Sequence, residues 1–269
     1  MKVKFNQGGI EMKIIQAFLT PNVYSRPQKP LKEVTHIVIH WVGNPGSTAM
    51  ANRNYFESLK SGPIYASAHY IIGLQGEIIQ CIPESEIAYH AGPANSYSIG
   101  IENCHPTQGG KFNSATYVSL ISLCANICKR YKLDPEEALI RHYDVTGKIC
   151  PKYYVEYPNE WKQLKEDVKK VLFVIEEDQK LIEAVKALIT AGIQLDLKVW
   201  GNMKKMNMTY VKQMVERIGK KYQCSNYKET IDFLVSKECI KTREPWDKER
   251  FRPEWCRQLI INVKEKLLK

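Results

Sequence analysis

Strand-like patterns fill the first part of this 269-residue chain and then stop, which divides what it can fold into. β-Branched or alternating apolar runs occur near residues 35–40, 68–73, 77–82, 98–103 and 138–141, and helical patterns near 48–60, 114–131 and 159–172. Strands interleaved with helices pack as an α/β domain, here with a mixed central β-sheet flanked by helices. Asn113 is placed to cap the middle helix, and Asp134-Pro135 reads as another helical start. Beyond about residue 175 only helical periodicity remains. The expected organisation is a leader over 1–11, an α/β domain over 12–173, a linker over 174–180 and a small all-α domain over 181–269. A chain of this length, 44% hydrophobic, buries enough surface for two such domains.

The helical part is self-similar. Ala187-Leu188-Ile189 followed by Trp200 returns as Phe233-Leu234-Val235 followed by Trp246, an offset of 46. Tyr210 to Val215 returns as Trp255 to Ile260, an offset of 45. Two repeated helical units explain this, the first helix of the first unit stopping at Gly192, a residue suited to the left-handed position after a helix. Residues 180–269 hold 20 Lys+Arg against 11 Asp+Glu, so +9 of the chain's +10 lies there. Such charge favours polyanions, although a solvated helical surface serving a homodimer has the same composition. Trp200 and Trp246 are either core anchors or platforms for sugar rings.

Chemistry concentrates in the first part. His142 and Cys150 stand eight positions apart, and His40 closes the strand-like run Thr35–His40. Two imidazoles and a thiolate make a three-ligand zinc set, leaving a fourth position open for water or substrate, as catalytic zinc sites do. Amide hydrolysis would also need a base and a cation facing the developing oxyanion. Glu102, ending an apolar strand pattern, can be the base, and Lys148, two residues before Cys150, the cation. The bland alternatives are a buried thiol, a surface carboxylate and a solvated loop lysine. His36 cannot join His40 at one ion, because positions i and i+4 of a strand lie about 13 Å apart at ~3.3 Å per residue. It is expected to be structural, and His105 has no partner identifiable from the sequence.

Several segments in order carry a family resemblance over residues 12–170: the strand ending in His40-Trp41, Ser67–Ile72, the hairpin Gly76–Gln80, Tyr89-His90-Ala91-Gly92, Ser98–Glu102 and His142–Pro151. The chain resembles the zinc-dependent N-acetylmuramoyl-L-alanine amidases of the type-2 amidase and peptidoglycan-recognition-protein superfamily, especially phage endolysins of Gram-positive hosts. The resemblance implies one catalytic Zn2+ on His40, His142 and Cys150, Glu102 as general base and Lys148 as the lysine of the His-to-Cys loop. It implies bacterial peptidoglycan as substrate. It also suggests substrate contacts at Trp41, His69, His90, Ala91 and Gly92, with structural roles open for both histidines. Some relatives place a tyrosine before the histidine matching His69, where this chain has Ala68.

The remaining features narrow the function classes. No stretch reaches the ~18–20 apolar residues of a membrane span. Met1–Gly9 lacks the apolar core and cleavage site of a signal peptide, so the protein is expected to accumulate in the cytoplasm and reach the wall after release. Gln7-Gly8-Gly9 can be encoded by a purine-rich ribosome-binding sequence ahead of Met12, which suggests translation from Met12. Eight scattered cysteines fit reduced thiols, with Cys124 and Cys128 on one helix face. Nucleic acid is disfavoured as a partner, because the basic residues belong to no recognised nucleic-acid module. A basic helical domain beside an amidase points instead to an anionic wall polymer. A non-catalytic peptidoglycan receptor and a muropeptide-recycling amidase are the alternatives.

Overall fold

The computed structural model describes residues 4–5, 10–12 and 14–268, with the side chains of 4, 5, 10, 11 and 204 left aside. Most of the expected leader thus lies outside the described residues. Its described parts, β1 (Lys4–Phe5) and β2 (Ile10–Glu11), form a two-stranded pairing. The chain divides into two compact units, chiefly Glu11–Phe173 and Val174–Lys269.

The first unit is built on a six-stranded mixed sheet. Its strands are β3 (Ile14–Gln16), β4 (His36–Trp41), β5 (Tyr70–Ile72), β6 (Ile78–Gln80), β7 (Ser98–Asn103) and β8 (Leu139–Arg141), in the order β3-β6-β5-β7-β4-β8. Only the β5–β6 hairpin is antiparallel. Its turn needs Gly76, which sits at φ +77 and where a Cβ would lie 2.9 Å from the Ala115 carbonyl oxygen. The sequence missed β3, a three-residue edge strand too short and too exposed to show a pattern. β4 is buried over Ile37–His40, as expected of a strand covered on both faces.

Helices cover the sheet. α1 (Ala49–Ser58), capped by Thr48, turns Phe56 into a core with Leu19, Ile71, Ile79 and Ile82. α2 (Ser114–Tyr131) runs over the expected span, and the Asn113 side chain accepts from the Thr116 N–H at 2.9 Å. Cys124 and Cys128 are buried on its inner face, small hydrophobes rather than ligands. α3 (Pro135–Ala138) starts at the Asp134 cap, and α4 (His142–Thr146) and α5 (Lys152–Glu156) are short turns around the His142-to-Cys150 loop. α6 (Pro158–Thr190) is 33 residues long, so residues 174–180, expected as a linker, are helical. No proline or glycine interrupts that run, and nothing else in it breaks a helix.

The second unit contains the end of α6, α7 (Leu197–Trp200), α8 (Val211–Lys221), α9 (Tyr227–Ser236), α10 (Glu244–Asp247) and α11 (Pro253–Leu267). The repeat is visible in the backbone. Gly192 at φ +87 and Glu238 at φ +55 both end a helix left-handed, 46 positions apart. The N–H of Ile193 donates to the Leu188 carbonyl at 3.0 Å, and Cys239 donates to Leu234 at 2.8 Å. Both halves share one core in which Trp200 and Trp246 are buried at 4% and 5% exposure. α8 and α9 approach closely at Gly219, where a Cβ would stand 1.9 Å from the Thr230 hydroxyl. Gly219→Val should therefore lower stability by about 1–3 kcal/mol through overpacking, read as a lower thermal midpoint of this unit. An unchanged midpoint would contradict that packing. Among the described residues, no helix is long and apolar enough to cross a membrane.

Candidate metal and catalytic site

The sheet register brings the expected residues together. β4 pairs in parallel with β7 so that His40 faces Glu102, and with β8 so that Ile39 faces Arg141, the residue before His142. Paired residues on neighbouring strands share a face, so the His40 and Glu102 side chains stand side by side. The cluster lies at the carboxyl ends of three parallel strands, where open α/β sheets hold their ligands. Arg141 steadies the last of these ends through an ion pair with Asp144, 2.6 Å, and a bond to the Tyr154 carbonyl.

His40, His142 and Cys150 offer one ligand atom each, all within 4.8 Å of one another. Nδ1 of His40 is 3.1 Å from Nδ1 of His142 and 3.7 Å from Sγ of Cys150. Three donors converging without a partner of opposite charge are the geometry a cation would satisfy. Burial, with His90, His142 and Lys148 nearby, drives the pKa of His40 well below its ordinary value, and burial with Lys148 lowers that of His142. Both rings are thus held neutral, the form that binds metal. Burial and the Glu102 carboxylate push the Cys150 thiol up to about 12, so its proton leaves only in exchange for a cation.

Glu102 shows the same need. Its Oε2 is buried without a hydrogen-bond partner, and burial raises its pKa to about 8 against the opposing pull of Lys148. A cation on the adjacent ligands would favour its ionised form. Lys148 itself is exposed on the loop after α4, beyond the turn at Gly147 with φ +79. Its charge is felt at His40, His142, Cys150 and Glu102, which places it at the rim of the cluster.

The expected substrate contacts separate by accessibility. His69 is fully buried, its Nδ1 accepting from the Gly100 N–H at 3.0 Å and its Nε2 lying 2.9 Å from the Glu86 carbonyl. That leaves the ring no free nitrogen for a substrate. Ala91 is 1% exposed, while Gly92 is exposed at the start of a 3-10 turn, Gly92–Ser96. Trp41 is half-buried, stacked on His105 with ring centroids 4.6 Å apart, which supplies the partner His105 lacked in the sequence. His36 bonds to the Thr35 hydroxyl and packs on Tyr97, away from the ligands.

His90 occupies a place that the sequence did not reveal. Its Nδ1 is 3.2 Å from Nε2 of His40, the nitrogen turned away from the cluster, and its Nε2 is 3.4 Å from the Ser98 hydroxyl. Asn95 fixes the backbone there by accepting from the His90 and Ala91 N–H groups. The ring lies over Gly100, where a Cβ would be 2.4 Å from it. Gly100→Ala should therefore displace His90 and cost about 1–3 kcal/mol, measured by thermal unfolding. A variant as stable as wild type would show the contact to be loose.

A mixed α/β sheet with a two-histidine, one-cysteine cluster and an unpaired carboxylate at its strand ends makes a candidate metal-binding domain. Residues 30–153 match the family described as N-acetylmuramoyl-L-alanine amidase. Over 175 residues the chain is 34% identical to the N-acetylmuramoyl-L-alanine amidase CwlL of Bacillus licheniformis, covering 60% of this chain and 48% of that protein. Over 173 residues it is 32% identical to BlyA of Bacillus subtilis (strain 168), covering 57% and 46%. A solved mutant endolysin from Bacillus subtilis superposes with TM-score 0.50 at 25% identity, covering 58% of this chain and 99% of that one. Over this segment the chain is similar to N-acetylmuramoyl-L-alanine amidases. It spans less than half the length of these two curated relatives.

Proposed function

We propose that the protein is a zinc-dependent N-acetylmuramoyl-L-alanine amidase, a phage or prophage endolysin hydrolysing the amide between N-acetylmuramic acid and L-alanine in peptidoglycan. The observation that carries this is the convergence of His40, His142 and Cys150 beside the unpaired Oε2 of Glu102. Two nitrogens and one sulfur suit zinc. When bound, zinc supplies Lewis acidity toward the scissile carbonyl. Glu102, once ionised, takes a proton from the attacking water and can return it to the leaving alanine nitrogen. Lys148 faces the negative charge that develops on the carbonyl oxygen. With Nδ1 of His40 turned to the ligands, its Nε2–H donates to His90, which fixes the ring's tautomer and orientation.

The basic C-terminal unit is proposed to retain the enzyme on an anionic wall polymer, raising its effective concentration on the substrate. Purified peptidoglycan incubated with zinc-loaded and with chelated protein tests the activity. New alanine amino groups should appear with the zinc-loaded protein alone. New reducing sugars in place of amines would indicate a glycosidase, and tight wall binding with neither product a receptor.

A further inference from the structure

The second unit carries two clefts at equivalent positions of its repeat. One, of about 410 Å3, is lined by Trp246, Trp255, Gln258 and Leu259. The other, of about 200 Å3, is lined by Trp200, Tyr210, Gln213 and Met214. Trp246 follows Trp200 by 46 positions, and the other three pairs are each 45 apart. Each cleft therefore has a buried indole at its base, a second aromatic ring as a wall, an apolar side chain and a glutamine at the same place. Packing alone accounts for the buried indoles. It accounts less well for the second rings: Tyr210 is 50% exposed, and Trp255 is partly buried against the core with the Arg252 guanidinium 5.1 Å over its ring, each at the head of a helix with an exposed Gln three residues on. Lys241 lines the first cleft, whereas the second is lined by both Arg217 and Asp196.

We infer that the two clefts are paired subsites for acetamido-sugar units of an anionic wall-attached polysaccharide. The inference rests on the proposed wall-retention role of this unit. An exposed aromatic wall takes the apolar face of a pyranose ring, above an apolar floor backed by Leu259 or Met214. The carboxamide of Gln213, or of Gln258 with the N–H left beside its bond to Asn262 Oδ1, can donate to the acetamido oxygen and accept from its N–H, a pairing that a hydroxyl cannot make. Lys241 favours an anionic polymer over a neutral one at the first cleft, while Asp196 offsets Arg217 at the second. Two subsites on one chain suit a ligand that repeats, because the second contact is then intramolecular.

The test uses the full chain, zinc-free so that the wall is not digested. Co-sedimentation would be measured with Gram-positive walls, intact or stripped of covalently attached anionic polymer by hydrofluoric acid. Trp255→Ala and Tyr210→Ala should each weaken binding to intact walls by at least about tenfold, since losing one subsite forfeits the effective concentration. Trp255→Phe and Tyr210→Phe should restore most of it, with circular dichroism confirming that all four variants are folded. Stripped walls should bind wild type as weakly as the alanine variants bind intact walls, and soluble N-acetylglucosamine trimer should compete. If the alanine variants bind as wild type does, the subsites are wrong and charge-based retention stands. Equal binding to stripped walls, still lost in the variants, would move the ligand to the peptidoglycan backbone and overturn the anionic source. A wild type that binds neither wall preparation sinks the retention role itself.

Discussion

Cys150→Ser should leave the fold in place and remove both zinc and activity. The thiolate is one of only three donors in the cluster, and a serine hydroxyl in the same buried position would not ionise to replace it. Losing an outer partner of a metal ligand typically costs ~10–100-fold in affinity, so losing a ligand outright should cost more than about 100-fold. His90→Ala sets the scale within this molecule: it frees Nε2 of His40 without removing a donor and should fall inside that outer-partner range. Zinc content after dialysis and amine release from peptidoglycan would be read together for both variants. A Cys150→Ser protein that retains stoichiometric zinc would remove Cys150 from the ligand set. Because the Cys150 thiol is held up to about 12 without a cation, zinc uptake should also release protons and tighten as pH rises.

Glu102→Gln should separate binding from chemistry. The amide keeps the shape of the side chain, so zinc content should be unchanged, while kcat falls by about 100- to 10,000-fold, the range expected for a general base. The sign of the pH dependence follows from its environment. A base works ionised, so activity should rise with pH through the Glu102 pKa, which a bound cation brings below the value of about 8 set by burial. In metal-free protein the folded state holds this proton more tightly than the unfolded chain, so stability should fall as pH rises from about 4.5 to about 8. Glu102→Gln should abolish that slope in thermal unfolding. A metal-free wild type whose stability is flat over the window would show that Glu102 is not the buried acid described above.

How much of this was legible in the sequence depends on the length of the pattern. β4 and β7, six residues each and buried, were readable from their apolar runs, and so was α2 from its period and its Asn113 cap. The ligand candidates were readable because His142 and Cys150 are close in the chain and His40 ends a strand. The role of His90 was not, because its contact with His40 joins segments fifty residues apart and depends on the absence of a side chain at Gly100. His69 was open in the sequence to either a substrate contact or a structural role, and it is buried with both nitrogens bonded to the backbone. The linker expected over 174–180 followed the fading of the strand signal; the two units divide between 173 and 174, but the helix runs on, because a helix ends only where its geometry fails, here after Thr190 at Gly192.

The pairing of His40 with Glu102 has a consequence for how such a domain can diversify. A residue gained or lost in the connection between β3 and β4, which carries none of the cluster residues, leaves the ladder intact, so that segment is free to change length. The same change inside Ser98–Asn103 ahead of Glu102 would turn the carboxylate to the opposite face of the sheet. Variation among descendants of this chain should therefore collect in its loops, while the six positions of β7 keep their number even where their residues drift.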